Sequence, residues 1–324
     1  MNGLVLVTGG AGYVGAEVVS ALLERGADVR ILDNLLHGQD EVAAALTAKG
    51  AQFVDADIRD GDRRREALAG ANAVVHLAAI VGDPACARDP ELAQEVNVEA
   101  TRDLVEDAGA AGVGHFIFAS TCSNYGRMTD PETPIDETGE LAPVSLYAEQ
   151  KVGIEKMLLG RDAAPRATCL RFATVYGAAP RMRFDLTVNE FTRELWADRD
   201  LEVFGEQFWR PYVHARDAAK GVATVLEAGP EEVGGDVFNV GHSDENYRKL
   251  DLVEIIGEKV PRGRVSFVRR DEDPRDYKVS FEKIRERLGY VPDMRVPTGI
   301  AEVAKGLDEE AFGDPFDPRH RNTP

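Results

Sequence analysis

The chain has little cysteine, no long apolar run, and too few basic residues to balance its acids. Cys86, Cys122 and Cys169 are its three cysteines in 324 residues. Their odd number and wide spacing fit neither a disulfide framework nor a zinc site, and point to a reducing, cytoplasmic setting. His76, His214 and His242 are scattered without ligand spacing, so no metal site is expected and all three read as structural. No apolar stretch approaches the roughly 20 residues needed to cross a bilayer, which argues against a membrane partner. The first residues carry no basic leader and run straight into glycines, so they read as a strand and not as a signal peptide. Lysine and arginine number 38 against 57 acids, a net charge of −19. Phosphate backbones need basic surface, so a nucleic-acid partner is excluded and a well-solvated acidic exterior is expected.

At this length the chain can bury a large core, as one big α/β domain or two smaller ones. Leu4-Val5-Leu6-Val7 has strand character, and Thr8-Gly9-Gly10-Ala11-Gly12-Tyr13-Val14-Gly15 follows at once. Ala16 to Arg25 then reads as a helix, with apolar Val18, Val19, Leu22 and Leu23. Glycines at such a turn let the backbone approach a pyrophosphate and let helix pack close to strand. The helix N-terminus offers unpaired N–H donors and partial positive charge to the same phosphates. A second strand, Val29 to Leu32, ends at Asp33, about 20 residues on, where a ribose-binding acid belongs.

Strand runs and helical patterns alternate through Gln52–Val54, Ala73–Leu77, about Pro90 to Ala111, His115–Ala119, Leu146–Leu159 and Arg166–Phe172. The alternation predicts a Rossmann-type, doubly wound α/β fold with a parallel sheet, and places ligands beyond the carboxyl ends of the strands. Residues 1–180 are read as the dinucleotide-binding domain, with core-sheet contributions from about 200–245. Residues 181–311 are read mostly as a smaller, discontinuous substrate lobe. In it, helices are expected near 185–198, 249–260 and 297–310, and short strands at 201–204, 211–214, 236–240 and 265–268. The tail 312–324, rich in Pro, Asp and Arg, is expected to be loosely ordered.

Tyr147 and Lys151 fall at i, i+4 on a predicted helix and so share a face. A free phenol has a pKa of about 10; using it as a proton shuttle near neutrality costs about 4 kcal/mol. A neighbouring ammonium and a hydroxyl donating to the phenolate both supply part of that. Ser120-Thr121-Cys122-Ser123 sits just past the strand ending at Ala119, and Thr121 can supply the hydroxyl.

With these residues in place the chain resembles the extended short-chain dehydrogenase/reductases, in their nucleotide-sugar epimerase and dehydratase group. The resemblance runs to about Tyr290. It is carried by Thr8 to Gly15, Asp57-Ile58, His76-Leu77-Ala78-Ala79, Asn97-Val98, Ser120-Thr121 through Tyr125-Gly126, Tyr147 with Lys151, and Arg210-Pro211-Tyr212-Val213-His214. It implies that Gly9, Gly12 and Gly15, with Tyr13 and Val14, hold the pyrophosphate of a dinucleotide. Asp33 and Asn34 would bind the adenosine ribose, Asp57 and Ile58 the adenine, and Leu77, Ala78, Ala79 and Asn97 further parts of the cofactor. The charge of Asp33 opposes a 2′-phosphate, so NAD is expected over NADP, with Arg30 nearby as an opposing influence. Lys151 would also bond the nicotinamide ribose, while Tyr147 moves a proton as hydride moves at the nicotinamide.

The same resemblance implies a nucleoside-diphosphate sugar as substrate and epimerisation at C4 through a transient 4-keto sugar. Relatives that dehydrate or decarboxylate carry acids after the position of Thr121, where this chain has Cys122 and Ser123. Cys122 is either an auxiliary acid/base, with Ser123 beside it, or a small residue filling space. The alternative reaction is NAD(P)H-dependent reduction of a nucleotide-linked 4-keto-6-deoxy sugar. A 4,6-dehydratase and a non-catalytic dinucleotide-binding protein stand further off, since sensors on such a fold generally lose the Tyr/Lys pair. Arg210 and Arg270 would grip the diphosphate, with Arg275 in competition for the second position. Asn189 would hold the nucleotide part, and Thr174 stands where many relatives have a substrate-touching Asn. Arg181 and Arg183 belong either to that pocket or to ion pairs with Asp185 or Glu190. Relatives usually dimerise through two long helices, for which 90–111 and 146–159 are the candidates.

Overall fold

A computed structural model describes residues 3–128, 130, 133–268 and 275–322. The strands are β1 (Leu4–Thr8), β2 (Asp28–Asp33), β3 (Gln52–Asp55), β4 (Ala71–His76), β5 (His115–Thr121) and β6 (Arg166–Phe172). They are followed by β7 (Thr174–Tyr176), β8 (Asp200–Phe204), β9 (Trp209–His214), β10 (Asp236–Val240), β11 (Asn246–Arg248) and β12 (Arg264–Val268). Seven of them form one sheet in the order β10-β6-β5-β4-β1-β2-β3, and every pairing in it is parallel. The predicted doubly wound α/β sheet is therefore the observed one, with β10 at its edge beside β6.

Alternation along the strands explains why both faces are covered. In β1, Val5 and Val7 enter one apolar cluster with Val19 and Leu22 of the helix Tyr13–Glu24 and Val222 of the helix Ala215–Ala228. Leu6 points the other way, toward Leu104, Val105, Ile154 and Leu158. Each such fully buried side chain contributes roughly 1.5–3 kcal/mol. The order of strands reverses between β1 and β4, so the crevice above their carboxyl ends is where a ligand fits this sheet.

The segment read as one helix from Pro90 is a helix with an insertion. Pro90–Gln94 and Ala100–Ala110 are joined by a π turn, Glu95–Glu99, which holds Asn97. In the second half, helices Thr187–Trp196, Lys249–Lys259 and Val296–Asp308 surround a separate apolar cluster that includes Val188, Phe191, Leu252, Ile256 and Ile300. Two small sheets, β11-β9-β7 and β12-β8, complete it.

The tail overturns the expectation of loose order. Phe312 and His320 each meet Phe184 edge-on, with ring centres 5.6 and 5.5 Å away. The Phe184 N–H donates to the His320 carbonyl at 2.8 Å. An aromatic anchor and several backbone hydrogen bonds fix this segment in spite of its composition.

Candidate active site

One elongated cavity of about 420 Å³ lies along the carboxyl ends of the central strands. Gly9, Gly12, Tyr13, Val14, Gly15, Asp33, Asn34, Asp57, Ile58, Leu77, Ala78 and Ala79 all line it, as do Thr121, Ser123, Tyr147, Lys151, Thr174 and Arg275. Residues far apart in the sequence thus share one wall.

At its middle is the glycine turn. Gly9 has φ +70°, and a Cβ there would stand 2.7 Å from the Ala78 backbone nitrogen. A Cβ on Gly15 would stand 2.0 Å from the Gly9 carbonyl oxygen. Only glycine lets the turn close against β4 and the helix start so near it, leaving the helix N-terminus open to the cavity.

Asp33 ends β2 and is almost fully buried. Its carboxylate accepts from Ala11 N at 3.0 Å and Leu35 N at 2.9 Å. Burial raises its pKa, opposed by those two backbone donors. Asp57 is forked by Arg59, which holds its carboxyl below the usual range. Asn34 donates to Asp57 at 3.3 Å, so both ribose- and adenine-end candidates are pre-positioned.

At the other end, Ser145 caps the helix Leu146–Leu159 by accepting from Ala148 N at 3.3 Å, and this helix carries Tyr147 and Lys151. Lys151 Nζ donates to the Ala119 carbonyl at 2.6 Å. Burial lowers the ammonium to about 8. Burial likewise raises the Tyr147 phenol, with the nearby Cys86 and Asp83 adding to the effect. Burial thus works against the lowering that a proton shuttle needs, and positive charge close to the phenol works for it. Thr121 Oγ1 accepts from Ser123 N at 3.1 Å, which leaves its own proton free for another acceptor.

Several of the candidate residues do not line the cavity. Cys122 is 1% exposed and turns into the core, its thiol donating to the Arg171 carbonyl at 3.2 Å. Burial pushes that thiol well up, which favours the space-filling reading over the acid/base one. Asn97 stands behind the wall, where its amide accepts from Ile80 N at 2.8 Å and donates to Gln150 at 3.0 Å. The Asn189 amide is likewise consumed internally, accepting from Gly177 N at 2.9 Å and donating to the Arg183 carbonyl at 2.9 Å. Arg210 does not line the cavity; its guanidinium stands 5.2 Å from the Tyr277 ring centre. Arg270 lies outside the described residues.

Arg181 and Arg183 both line the cavity, and Arg183 is paired with Asp185 at 2.7 Å. Arg275 pairs with Asp83 at 2.8 Å, and Asp83 also accepts from Ser145. Tyr277 and Asn322 are among the lining residues that escaped the sequence argument. Tyr277 places its hydroxyl 3.3 Å from Ser123 Oγ, and it directly follows the arginine segment that did attract notice. Asn322 comes from the tail, and no local pattern marks it. His76 is structural: it bridges Thr8 Oγ1 at 2.7 Å and Thr101 Oγ1 at 2.8 Å, and burial lowers it to about 3. Among the described residues no group of three or more His, Cys, Asp or Glu is arranged to hold a metal ion, and no helix is long and apolar enough to cross a membrane.

A parallel sheet with a glycine cradle at its switch point and a Tyr/Lys pair beside it defines a dinucleotide-binding enzyme of the short-chain dehydrogenase/reductase type. The model of the NAD-dependent epimerase/dehydratase family matches residues 5–241, and the chain belongs to that family. It is 31% identical to a UDP-glucose 4-epimerase of Erwinia amylovora, over 93% of this chain and 95% of the relative. A dTDP-glucose 4,6-dehydratase from Streptomyces venezuelae, solved with NAD bound, superposes with TM-score 0.86 at 27% identity, covering 96% of this chain and 99% of that one. A UDP-glucose 4-epimerase from Thermotoga maritima, solved with UDP-glucose, gives TM-score 0.84 at 27% identity, covering 95% and 99%.

Proposed function

We propose that this protein is an NAD-dependent epimerase that inverts C4 of a nucleoside-diphosphate sugar through a transient 4-keto sugar. The observation that carries the reading is the single cavity joining the Gly9–Gly15 cradle and Asp33 to Thr121, Tyr147 and Lys151. The named epimerase relatives support the reaction.

The residues present fit NAD. Gly12 and the helix start at Tyr13 accept a diphosphate, Asp33 with Asn34 a ribose, and Asp57 with Ile58 the adenine edge. When bound, NAD supplies a hydride acceptor and donor at the sugar carbon and a positively charged ring. Tyr147 takes the C4 hydroxyl proton and returns it to the other epimer. Lys151 favours the phenolate by charge, and Thr121 donates a hydrogen bond to it. No carboxylate replaces Cys122 or Ser123 beside Thr121, so proton chemistry at a further sugar carbon lacks its shuttle. Thr174, Ser123, Tyr277 and Arg275 line the end assigned to the sugar and its diphosphate, at the border of the 181–311 lobe.

The reading extends to a cytoplasmic homodimer. Helices Ala100–Ala110 and Leu146–Leu159 pack on the same face of the sheet and expose Arg102, Glu106, Glu149 and Lys156. Mixed charge of this kind suits a two-fold, self-complementary contact, which light scattering tests directly.

The functional test is incubation of purified protein with UDP-, dTDP-, GDP- and CDP-sugars without added cofactor, read by mass and NMR. A C4 isomer of unchanged mass is the expected product. Gain of two hydrogens from a 4-keto sugar, only with reduced nicotinamide supplied, would replace the epimerase by a reductase.

A further inference from the structure

Arg181 is a buried cation from which no carboxylate accepts among the described residues. It is 7% exposed, whereas its neighbour Arg183 is paired with Asp185. All its observed acceptors are neutral and belong to the tail: Asn322 Oδ1 at 2.7 Å from Nη1, and the Arg319 and Arg321 carbonyls at 3.3 and 3.2 Å from Nη2. Its Nε is buried and has no partner among the described residues. Asp33 lies within electrostatic reach, but its oxygens are held by Ala11 and Leu35 N–H groups. A desolvated guanidinium with an idle donor on a cavity wall is suited to an anion.

The surroundings say which anion. Arg181 interacts electrostatically with Asp33, and Arg183 with Tyr13. On the cavity wall, Arg181 is thus near the ribose-binding acid and Arg183 near the residue that starts the helix above the glycine turn. That is the stretch of cavity in which a dinucleotide carries its diphosphate. The tail closes the same stretch. Asn322 lines the cavity, its N–H donates to Asp185 at 3.1 Å, and Arg319 lies against Gly38 in the loop after β2.

We propose that Arg181 is a ligand to the diphosphate of the bound dinucleotide, and that residues 318–322 hold it there as a clasp. The C-terminal tail is thus part of the cofactor site. This rests on the NAD-binding half of the reading above and not on the sugar.

The test compares the full chain, Arg181→Gln, Asn322→Ala and a chain ending at Asp317, each stripped of nucleotide. Affinities for NAD, ADP-ribose and adenosine are measured by calorimetry, with the melting temperature of each stripped protein. Loss of a charge-assisted bond predicts NAD and ADP-ribose binding weaker by about tenfold in Arg181→Gln and the shortened chain, and by a few-fold in Asn322→Ala. Adenosine, which has no diphosphate, binds unchanged. Equal weakening of adenosine, or unchanged NAD affinity in Arg181→Gln, overturns the proposal. Should the shortened chain not fold, Asn322→Ala decides: weaker NAD binding at an unchanged melting temperature supports the clasp, and unchanged binding removes it. No sugar enters the measurement, so failure of the sugar assignment leaves the result readable.

Discussion

Lys151 lies one helical turn beyond Tyr147, with its Nζ 5.7 Å from the centre of the Tyr147 ring and bonded to the Ala119 carbonyl. The ammonium is thereby fixed between strand β5 and the phenol, in position to act on its charge. Tyr147→Phe removes the proton carrier and nothing else in the wall. Turnover is expected to fall by about 10²–10⁴-fold, with NAD affinity within a factor of about two. Kinetics and calorimetry on one preparation check this. Loss of NAD binding in a folded variant would strip Tyr147 of the role given to it.

The Lys151 amine, lowered by burial to about 8, sets an alkaline limit. As pH rises through that value the ammonium gives up its charge, and the phenolate loses its neighbour. The rate is expected to decline above about pH 8, and Lys151→Met to be slow with no such limb. A pH–rate profile of both proteins decides; a matching decline in Lys151→Met would place the titrating group elsewhere.

How much of this was legible in the chain depends on distance along it. The glycine turn, β2 ending at Asp33, and the Tyr147/Lys151 pair are local patterns whose spacing fixes their geometry. The direction of Cys122 was not legible, because the tight turn Cys122–Tyr125 after β5 decides which side chain faces the cavity. The resemblance implies that Asn97 holds the cofactor and Asn189 the nucleotide, but their partners come from Ile80 and Gly177, through packing that no spacing encodes. The tail misled for the same reason. Its polar, proline-rich composition says nothing of Phe312 docking on Phe184, more than 120 residues away in the chain.

Behind β5, Glu155 and Arg171 form an ion pair at 2.7 Å with 1% and 5% of their side chains exposed. Ser120 also donates to Glu155, and Asn124 does so at 2.9 Å, so the carboxylate ties the strand end carrying Thr121 to the helix carrying Lys151. Glu155→Ala leaves a buried guanidinium without its partner and is expected to cost about 3–5 kcal/mol. Urea denaturation measures it. A loss under about 1 kcal/mol would mean that Arg171 readily finds water or another acceptor.

Asp33 places a carboxylate where a 2′-phosphate would lie if the ribose binds as proposed. Asp33→Ser removes that repulsion and one ribose acceptor. NAD affinity is expected to drop by about tenfold, and the NAD/NADP ratio to move toward NADP. Competition calorimetry with both dinucleotides reports it. An unchanged ratio would place the ribose away from Asp33.

His76 links stability to pH. It is 2% exposed, and the Thr101 hydroxyl gives its proton to the Asn97 carbonyl at 2.8 Å, so it accepts from His76 Nε2–H. The other ring nitrogen then accepts from Thr8, and the imidazole is neutral. Burial lowers its folded pKa to about 3, below the 6.5 of the free side chain. Between those values the unfolded chain binds the extra proton, so stability rises with pH through the window and is lost as pH falls. At pH 5.5 this group alone removes about 1 kcal/mol relative to pH 7.5. His115, lowered by burial to about 4, acts in the same direction, so the comparison needs a His76→Asn variant. Urea curves at both pH values are expected to show a smaller pH-dependent loss in that variant. An equal loss in both proteins would mean that His76 is already protonated in the fold.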